Sequence, residues 1–183
     1  VGLLGGSLGL ALKERGLARW VRGVGRRISS LDTARAMGAI DEFFLEPKEA
    51  CRNADLVVLC TGANAIQHLL DAIQPACKPD VIATDVASTK NAICAHAATT
   101  WPRPLRFIGS HPMAGSEKFG PEHASASLYE GSVVIVEPPS PQHAPDAHAA
   151  VCELWRAVGA RIIEIEPQWH DALLARTSHI PHI

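Results

Sequence analysis

The sequence lacks any closely spaced pair of cysteines. Its five cysteines are odd in number and contain no Cys-x-x-Cys spacing, so neither a disulfide framework nor a zinc site is expected. We interpret all five as free thiols in a reducing cytoplasm. They are Cys51, Cys60, Cys77, Cys94 and Cys152.

Long apolar runs and an excess of charge of one sign are also missing. No run approaches the roughly 18 apolar residues of a membrane span, and the N-terminus lacks the layout of a signal peptide. Lys and Arg (17) nearly balance Asp and Glu (19), for a net charge of -2, whereas a nucleic-acid partner needs a basic face or stripe. We therefore expect a cytoplasmic protein without membrane or nucleic-acid partners.

What the sequence does contain is an alternation of short β-rich runs with helical patterns. This order favours βαβ units and an α/β fold with a mostly parallel sheet. Two stripes with i, i+3, i+4, i+7 spacing predict helices: Ile66, Leu69, Leu70 and Ile73, and Val151, Leu154, Trp155 and Val158. The predicted strands are Trp20 to Val24, Leu56 to Cys60, Val81 to Thr84, Leu105 to Ile108, Ser132 to Glu137 and Arg161 to Ile165.

Two segments interrupt this alternation. Residues 109–131 are rich in small residues and proline, which predicts a long flexible connection of the kind that often carries function. Residues 138–146 predict an exposed loop, with Asp146 as the cap of the following helix. We expect His143 and His148 to be solvated rather than to bind a metal.

The chain opens on a glycine turn, VGLLGGSLGLAL. Gly2 and Gly5 match the latter part of a GxGxxG turn, in which the first leaves room for a pyrophosphate and the second lets helix and strand pack closely. The following helix N-terminus supplies N–H groups and a positive dipole end. We assign cofactor binding to this turn and to a glycine after a later strand: Gly2, Leu4, Gly5 and Gly62.

The next strand ends without the acidic residue that binds the ribose hydroxyl of NAD. Gly25 occupies that position and is followed by Arg26 and Arg27. With no carboxylate to repel a 2′-phosphate, the two guanidiniums are suited to bind one. The expected cofactor is therefore NADP or NAD, with NADP favoured. The alternative is that the two arginines are merely solvated.

Three further motifs are TDVASTK (84–90), GSHPMAGSE (109–117) and SHIPH (178–182). Together with GLLGGSL, ADLVVLC, LYEG and HD, they resemble the prephenate dehydrogenase family, also called TyrA-like or cyclohexadienyl dehydrogenases. The likeness covers essentially the whole chain. GSHPMAGSE and SHIPH are its most specific parts, whereas the glycine turn is shared with many Rossmann enzymes.

This resemblance implies oxidative decarboxylation of prephenate to 4-hydroxyphenylpyruvate, or of arogenate to tyrosine, with hydride transfer to NAD or NADP. It also implies a Rossmann-like dinucleotide-binding domain over residues 1–166 and the start of a helical domain over residues 167–183. That second domain would form a homodimer and complete the active site. Because the chain begins without methionine and ends just after a helical pattern, we expect a fragment that lacks the first strand and most of the helical domain.

The resemblance also assigns roles to five residues. His111 matches the family's base, which accepts the proton of the ring hydroxyl as hydride leaves, and Ser88 matches the serine that orients it. Imidazole suits the role because a pKa of about 6.5 leaves it largely unprotonated at neutral pH. His179 and His182 match substrate-binding positions, with capping or packing as the alternative, and Glu117 matches the pocket entrance. No metal is expected, because no third ligand has suitable local spacing.

Two other functions remain open. A dehydrogenase of the 3-hydroxyacid type shares the fold but pairs a catalytic lysine with an asparagine, and a nucleotide-sensing module would bind NADP without turnover. The sequence departs from the family at Ala87, where many relatives have glycine. The extra methyl group restricts the backbone beside Ser88 but leaves the hydroxyl in place.

Overall fold

Strands and helices alternate along residues 1–115 and 117–176, the part of the chain that the computed structural model describes. The strands are Arg22–Val24 (β1), Glu42–Phe44 (β2), Leu56–Leu59 (β3), Ile82–Asp85 (β4), Phe107–Ile108 (β5), Ser110–Pro112 (β6), Val133–Val136 (β7) and Arg161–Glu164 (β8). The α-helices are Leu3–Glu14 (α1), Ile28–Ala36 (α2), Pro47–Cys51 (α3), Ala63–Ile73 (α4), Asn91–Thr100 (α5), Pro145–Ala157 (α6) and Pro167–Leu174 (α7).

The strands pair in three groups, and most of the pairs are parallel. β1 pairs with β2, and β4 lies between β3 and β5, all in parallel. In the third group β7 pairs in parallel with β8 and antiparallel with β6. Parallel neighbours joined through helices are the expected result of βαβ units. The predicted α/β class with a mostly parallel sheet is therefore confirmed.

Two strands lie outside the predicted set. β2 has only three residues, too few for a period of two to stand out from its surroundings. β6 lies within residues 109–131, which were expected to be a flexible connection, and this part of the prediction is wrong. The antiparallel ladder from Ser110 to Pro112 along β7 fixes the start of that segment in the fold.

The predicted helical stripes face two separate cores. In α4, Ile66, Leu70 and Ile73 are buried against residues of α5 and β4. In α6, Trp155 is completely buried and packs edge-on against Tyr129 at 5.2 Å between ring centroids. Both helices are confirmed, and their apolar stripes form core rather than cofactor contacts. None of the helices in the described ranges is long and apolar enough to cross a membrane.

The loop before α6 differs from its prediction in three side chains. Pro145 begins the helix and Ala144 is its N-cap, so Asp146 is not the cap; its carboxylate instead pairs with Arg106 at 2.5 Å. His143 is buried rather than solvated, and its Nδ1 accepts a hydrogen bond from the Ser140 N–H. His148 is also mostly covered, with 12% of its side chain exposed. His143 is enclosed because the loop pairs with Leu105 through the Gln142 carbonyl and the Ala144 N–H, whereas His148 is covered as a residue of α6.

Close packing of α1 predicts a strong effect of one methyl group. A Cβ added at Gly9 would lie 2.1 Å from the Ala39 carbonyl oxygen, so Gly9→Ala forces the backbone after α2 to move. We expect the free energy of unfolding to fall by about 1–3 kcal/mol, as measured by denaturant titration. Gly62→Ala is the control, because a Cβ there meets nothing within 4 Å. Equal stability of the two variants would contradict this packing.

Candidate active site

The first turn of α1 is built to receive an anion. Gly2 is the N-cap, its position has no side-chain hydrogen bond to the helix, and the first turn contains no acidic residue. The first N–H groups of a helix have no intrahelical partner, and the positive end of the dipole adds to their attraction for phosphate. A Cβ at Gly2 would meet nothing within 4 Å, so the space beside this turn is open to a ligand.

Gly5 determines how closely this turn approaches the sheet. A Cβ there would lie 3.3 Å from the Cβ of Cys60, the residue that follows β3, so a side chain would push α1 away from the strand. The backbone carbonyl of the preceding residue, Leu4, accepts a hydrogen bond from the Tyr129 hydroxyl at 2.8 Å. Burial raises the pKa of Cys60 to about 12, so the thiol beside the turn carries no negative charge to repel a phosphate.

The remaining cofactor candidates also follow strand ends. Arg26 and Arg27 come directly after β1 and are exposed, and Gly62 follows β3 as the N-cap of α4. Each of these positions follows the carboxyl end of a parallel strand, where dinucleotides bind in open α/β sheets. Gly25 is enclosed instead, because a Cβ there would lie 3.1 Å from Leu31 Cδ2. Any substitution of Gly25 would therefore also disturb packing.

Ser88 and His111 line one cleft of about 390 Å³. Ser88 follows β4, and His111 is the middle residue of β6, opposite Ile135 of β7. The rest of the lining is mainly apolar: Pro112, Met113, Ala114, Gly115 and Leu174. The structure thus brings the two predicted catalytic residues, 23 positions apart, to a common space large enough for a small substrate.

One buried carboxylate positions the backbone beside both residues. Asp85 Oδ1 accepts a hydrogen bond from the Ser110 N–H at 3.1 Å, and Oδ2 accepts one from the Ala87 N–H at 3.0 Å. Ser110 directly precedes His111, and Ala87 directly precedes Ser88. The Lys90 ammonium also bonds to Oδ2, and both charged groups are almost completely buried. Burial raises the pKa of Asp85, and the Lys90 charge opposes that shift.

His111 forms a hydrogen-bonded chain with two residues in the middle of α7. Its Nδ1 lies 3.0 Å from His170 Nε2, and His170 Nδ1 lies 2.7 Å from Asp171 Oδ1. The Asp171 carboxylate also accepts the backbone N–H groups of Lys90 and Asn91 at the start of α5. α5 and α7 therefore hold this chain in place from two sides.

The order of donors in this chain determines which nitrogen of His111 is free of a proton. A carboxylate only accepts, so His170 Nδ1 carries the proton that it donates to Asp171. When His170 is neutral, its Nε2 must accept a proton from His111 Nδ1. The hydrogen of a neutral His111 is then on Nδ1, so Nε2 is its unprotonated, basic ring nitrogen.

The local pKa shifts favour this arrangement near neutral pH. Burial lowers the pKa of His170, although Asp171 partly opposes the shift. Burial acts to raise the pKa of Asp171, but hydrogen bonds from Lys90, His170 and Asn91 outweigh it and lower the pKa. Because its pKa lies below the ordinary histidine value of about 6.5, His170 is mainly neutral at neutral pH. It gains a proton, and the donor order is lost, only as the pH falls further.

One predicted site residue, Glu117, does not line this cleft, and two others cannot be placed relative to it. Glu117 is exposed and is not among the described residues that line the cleft. His179 and His182 lie outside the described residues, so their predicted roles stay predictions.

The comparison with protein families gives a direct match. Residues 8–164 match the family model described as prephenate dehydrogenase, nucleotide-binding domain. The chain belongs to the prephenate dehydrogenase family. The Rossmann-like arrangement of its strands, which lie within residues 8–164, thus belongs to a nucleotide-binding domain, as the resemblance implied.

Individual members of the prephenate dehydrogenase family support this placement. The chain is 36% identical over 153 residues to a cyclohexadienyl dehydrogenase of Zymomonas mobilis, covering 83% of this chain and 51% of the relative. It superposes with a TM-score of 0.92 on prephenate dehydrogenase from Aquifex aeolicus in complex with hydroxyphenyl propionate and NAD⁺, at 28% identity, covering 100% of this chain and 63% of that one. It superposes on Synechocystis arogenate dehydrogenase with a TM-score of 0.89 at 31% identity, covering 98% of this chain and 62% of that one. The chain spans about half the length of the Zymomonas relative.

The sequence reasoning missed the positioning residues of this prephenate dehydrogenase domain. Asp85 and Lys90 lie within TDVASTK, and His170 and Asp171 form the HD pair, but neither set had an assigned role. A charged residue at the end of an otherwise apolar strand was the available signal for Asp85. No spacing rule relates His170 to His111, because 59 positions separate them.

Proposed function

We propose that this chain supplies the dinucleotide-binding part and the base of an NAD(P)-dependent prephenate or arogenate dehydrogenase in tyrosine biosynthesis. The observation that carries the proposal is the chain from His111 through His170 to Asp171, which leaves His111 Nε2 able to accept a proton in the cleft that Ser88 shares. The family membership of the chain supports prephenate or arogenate as the substrate. The 3-hydroxyacid alternative loses support, because the cleft is lined by His111, which this chain orients.

The proposed reaction removes a proton from the substrate's ring hydroxyl. His111 Nε2 accepts this proton while the C–O bond becomes a carbonyl, and a bound nicotinamide supplies the acceptor for the hydride. The ring carboxylate then leaves as carbon dioxide, the electrons of the broken C–C bond move into the ring, and the carbonyl oxygen takes the proton back from His111 as the ring becomes an aromatic phenol. The protonated imidazole is stabilised by His170, whose neutral Nε2 accepts from Nδ1, and through it by Asp171.

Other candidate residues have supporting roles in this proposal. Ser88 lies in the same cleft, so its hydroxyl is placed to hydrogen-bond the ring hydroxyl and orient it toward His111. Glu117 stays assigned to the pocket entrance, and His179 and His182 to the substrate side chain. We also propose that residues 1–166 form the dinucleotide-binding domain, and that residues 167–183 begin a helical domain that forms a homodimer.

The residues of the α1 turn fit a dinucleotide. The uncapped N–H groups of α1 and the open space at Gly2 suit the pyrophosphate, and Gly62 lies at the adjacent strand end. Exposed Arg26 and Arg27 suit a 2′-phosphate, which supports NADP over NAD. The NAD⁺ complex of the Aquifex relative supports binding of this class of cofactor.

Replacing both arginines tests the cofactor preference. In Arg26→Ala/Arg27→Ala, we expect kcat/KM for NADP to fall at least about 10-fold, because charge-assisted bonds to the 2′-phosphate are each worth about 1.5–3 kcal/mol. The kcat/KM for NAD should change less than about 2-fold, because NAD has no 2′-phosphate for the arginines to bind. Arg19→Ala, which removes an exposed arginine before β1, is the control. A wild-type protein that already prefers NAD strongly would contradict the arginine assignment.

Removing His170 tests the hydrogen-bonded chain. We expect His170→Leu to lower kcat about 10–100-fold, with little change in the KM for the cofactor, because His111 then loses the acceptor at Nδ1. His170→Gln should retain more activity, since its amide oxygen can accept from Nδ1. The measurement is steady-state kcat at neutral pH, compared between His170→Leu and His170→Gln. Equal rates in the two variants would mean that the site needs only the packing volume of His170.

A crossed assay tests the proposed function as a whole. The full-length protein is given prephenate or arogenate with NAD or NADP, and reduced cofactor and aromatic product are both measured. We expect equal amounts of the two products with at least one substrate. Cofactor binding without product from either substrate would instead favour the nucleotide-sensing module.

A further inference from the structure

Three side chains with metal-binding atoms converge where α6 packs beside β8. His148 and Cys152 are four positions apart and therefore lie on one face of α6, and Glu164 is the last residue of β8. The Nε2 atom of His148 lies 3.8 Å from the Cys152 Sγ and 3.5 Å from Glu164 Oε1. All three ligand atoms lie within 4.8 Å of one another.

These distances are close to those between ligands of one tetrahedral ion. Zinc–sulfur bonds of about 2.3 Å and zinc–nitrogen bonds of about 2.0–2.1 Å, at tetrahedral angles, place sulfur and nitrogen roughly 3.5 Å apart. The zinc–nitrogen and zinc–oxygen bond lengths, at the same tetrahedral angles, place the nitrogen and a carboxylate oxygen roughly 3.3 Å apart. The Glu164 side chain is 44% exposed and therefore has room to rotate toward the ion as the third ligand.

We propose that His148, Cys152 and Glu164 form a zinc-binding site with a fourth position open to water. Thiolate, imidazole and carboxylate are the ligands that zinc takes most often, and the softness of the thiolate favours it over magnesium or calcium. This inference does not rest on the proposed dehydrogenase function. It departs from the expectation of no metal, which considered only ligands with local spacing in the sequence.

The surroundings of the site suit a bound cation. Cys152 is 2% exposed and the His148 side chain 12% exposed, so two of the ligands are already ordered and shielded from bulk water. On binding, the Cys152 thiol gives its proton to solvent as the zinc–sulfur bond forms. The thiolate and the carboxylate together then balance the two positive charges of the ion. A bound ion would join α6 to β8.

Metal titration of the full-length protein, freed of metal with a chelator, tests this site. We expect one zinc per chain at this site, in competition with a chromogenic chelator, and a midpoint of thermal unfolding that rises with zinc concentration. Cobalt should give tetrahedral visible bands and a near-ultraviolet band from the cobalt–thiolate bond. Cys152→Ser should abolish the near-ultraviolet band, and His148→Ala should weaken zinc binding at least about 100-fold.

The control is Cys77→Ser, which removes a thiol outside the cluster and should leave zinc affinity unchanged. Zinc binding that is the same in wild type and Cys152→Ser would overturn the proposal, because the ion would then be bound elsewhere. Binding that requires millimolar zinc would overturn it as well, and His148 and Glu164 would form only an ion pair. Activity is not needed as a readout.

Discussion

Replacing His111 with asparagine is expected to lower kcat by about 10²–10⁴-fold, the usual contribution of a general base. Asparagine retains a polar side chain of similar reach but cannot take up a proton near neutral pH. Affinity for the dinucleotide should change by less than about 2-fold, because the cofactor candidates lie on α1 and at other strand ends. Steady-state turnover and equilibrium cofactor binding, measured on the same full-length variant, separate the two effects.

His96→Asn is the matched control for this variant. His96 pairs with Asp71 at 2.8 Å, outside the residues that line the cleft, so wild-type turnover is expected. Wild-type turnover in His111→Asn would contradict the assignment of His111 as the base. A parallel loss of cofactor binding would mean that the substitution disturbs the fold beyond the cleft.

Removing the buried carboxylate is expected to have the largest effect on stability. Asp85→Ala leaves Lys90 charged and without its ion-pair partner in the protein interior, and it removes the acceptor of the Ser110 and Ala87 N–H groups. Breaking a buried pair in this way costs about 3–5 kcal/mol. We expect the free energy of unfolding to fall by that amount, as measured by denaturant titration.

A double variant keeps this prediction testable if the single variant does not fold. Asp85→Ala/Lys90→Met removes both charges and should recover part of the lost stability, because no unpaired charge remains. Asp55→Ala is the surface control, since that carboxylate is 94% exposed in its pair with Lys78, and a change below about 1 kcal/mol is expected. A double variant no more stable than Asp85→Ala would show that the unpaired lysine is not the source of the cost.

The main elements of the fold could be predicted because their signals are local. The stripes that end in Ile73 and Val158 repeat over about two turns, and the apolar runs of β3 and β7 are continuous. β2 was missed because its three residues lie outside any recognised apolar run, and β6 because it exists only through its pairing with β7, 22 or more positions later in the sequence. Burial of His143 likewise depends on a loop folding back, which no local pattern encodes.

The candidate site was predicted in part for the same reason. Contiguous motifs led to Ser88 and His111, and the structure places both in one cleft. The contacts that orient them join distant segments: Asp85 bonds to Ser110, and Asp171 bonds to Lys90, 81 positions earlier. Such pairings follow from the packing of α5, α7 and β6, so they appear only when the chain is folded.

The His111 setting differs from the expectation in a way that matters for function. A flexible loop would have left the imidazole free to sample many orientations. Instead, β6 fixes its backbone and His170 fixes its ring by a hydrogen bond. A base held in one orientation needs less ordering when substrate binds, which favours reaction.

Isotope transfer tests the central claim most directly. The full-length protein is given prephenate, or arogenate, deuterated at the ring carbon that bears the hydroxyl, together with NADP or NAD. The account predicts that each reduced cofactor carries one deuterium and that one carbon dioxide is released with it. Carbon dioxide release without cofactor reduction, or reduced cofactor without deuterium, would contradict hydride transfer at this site.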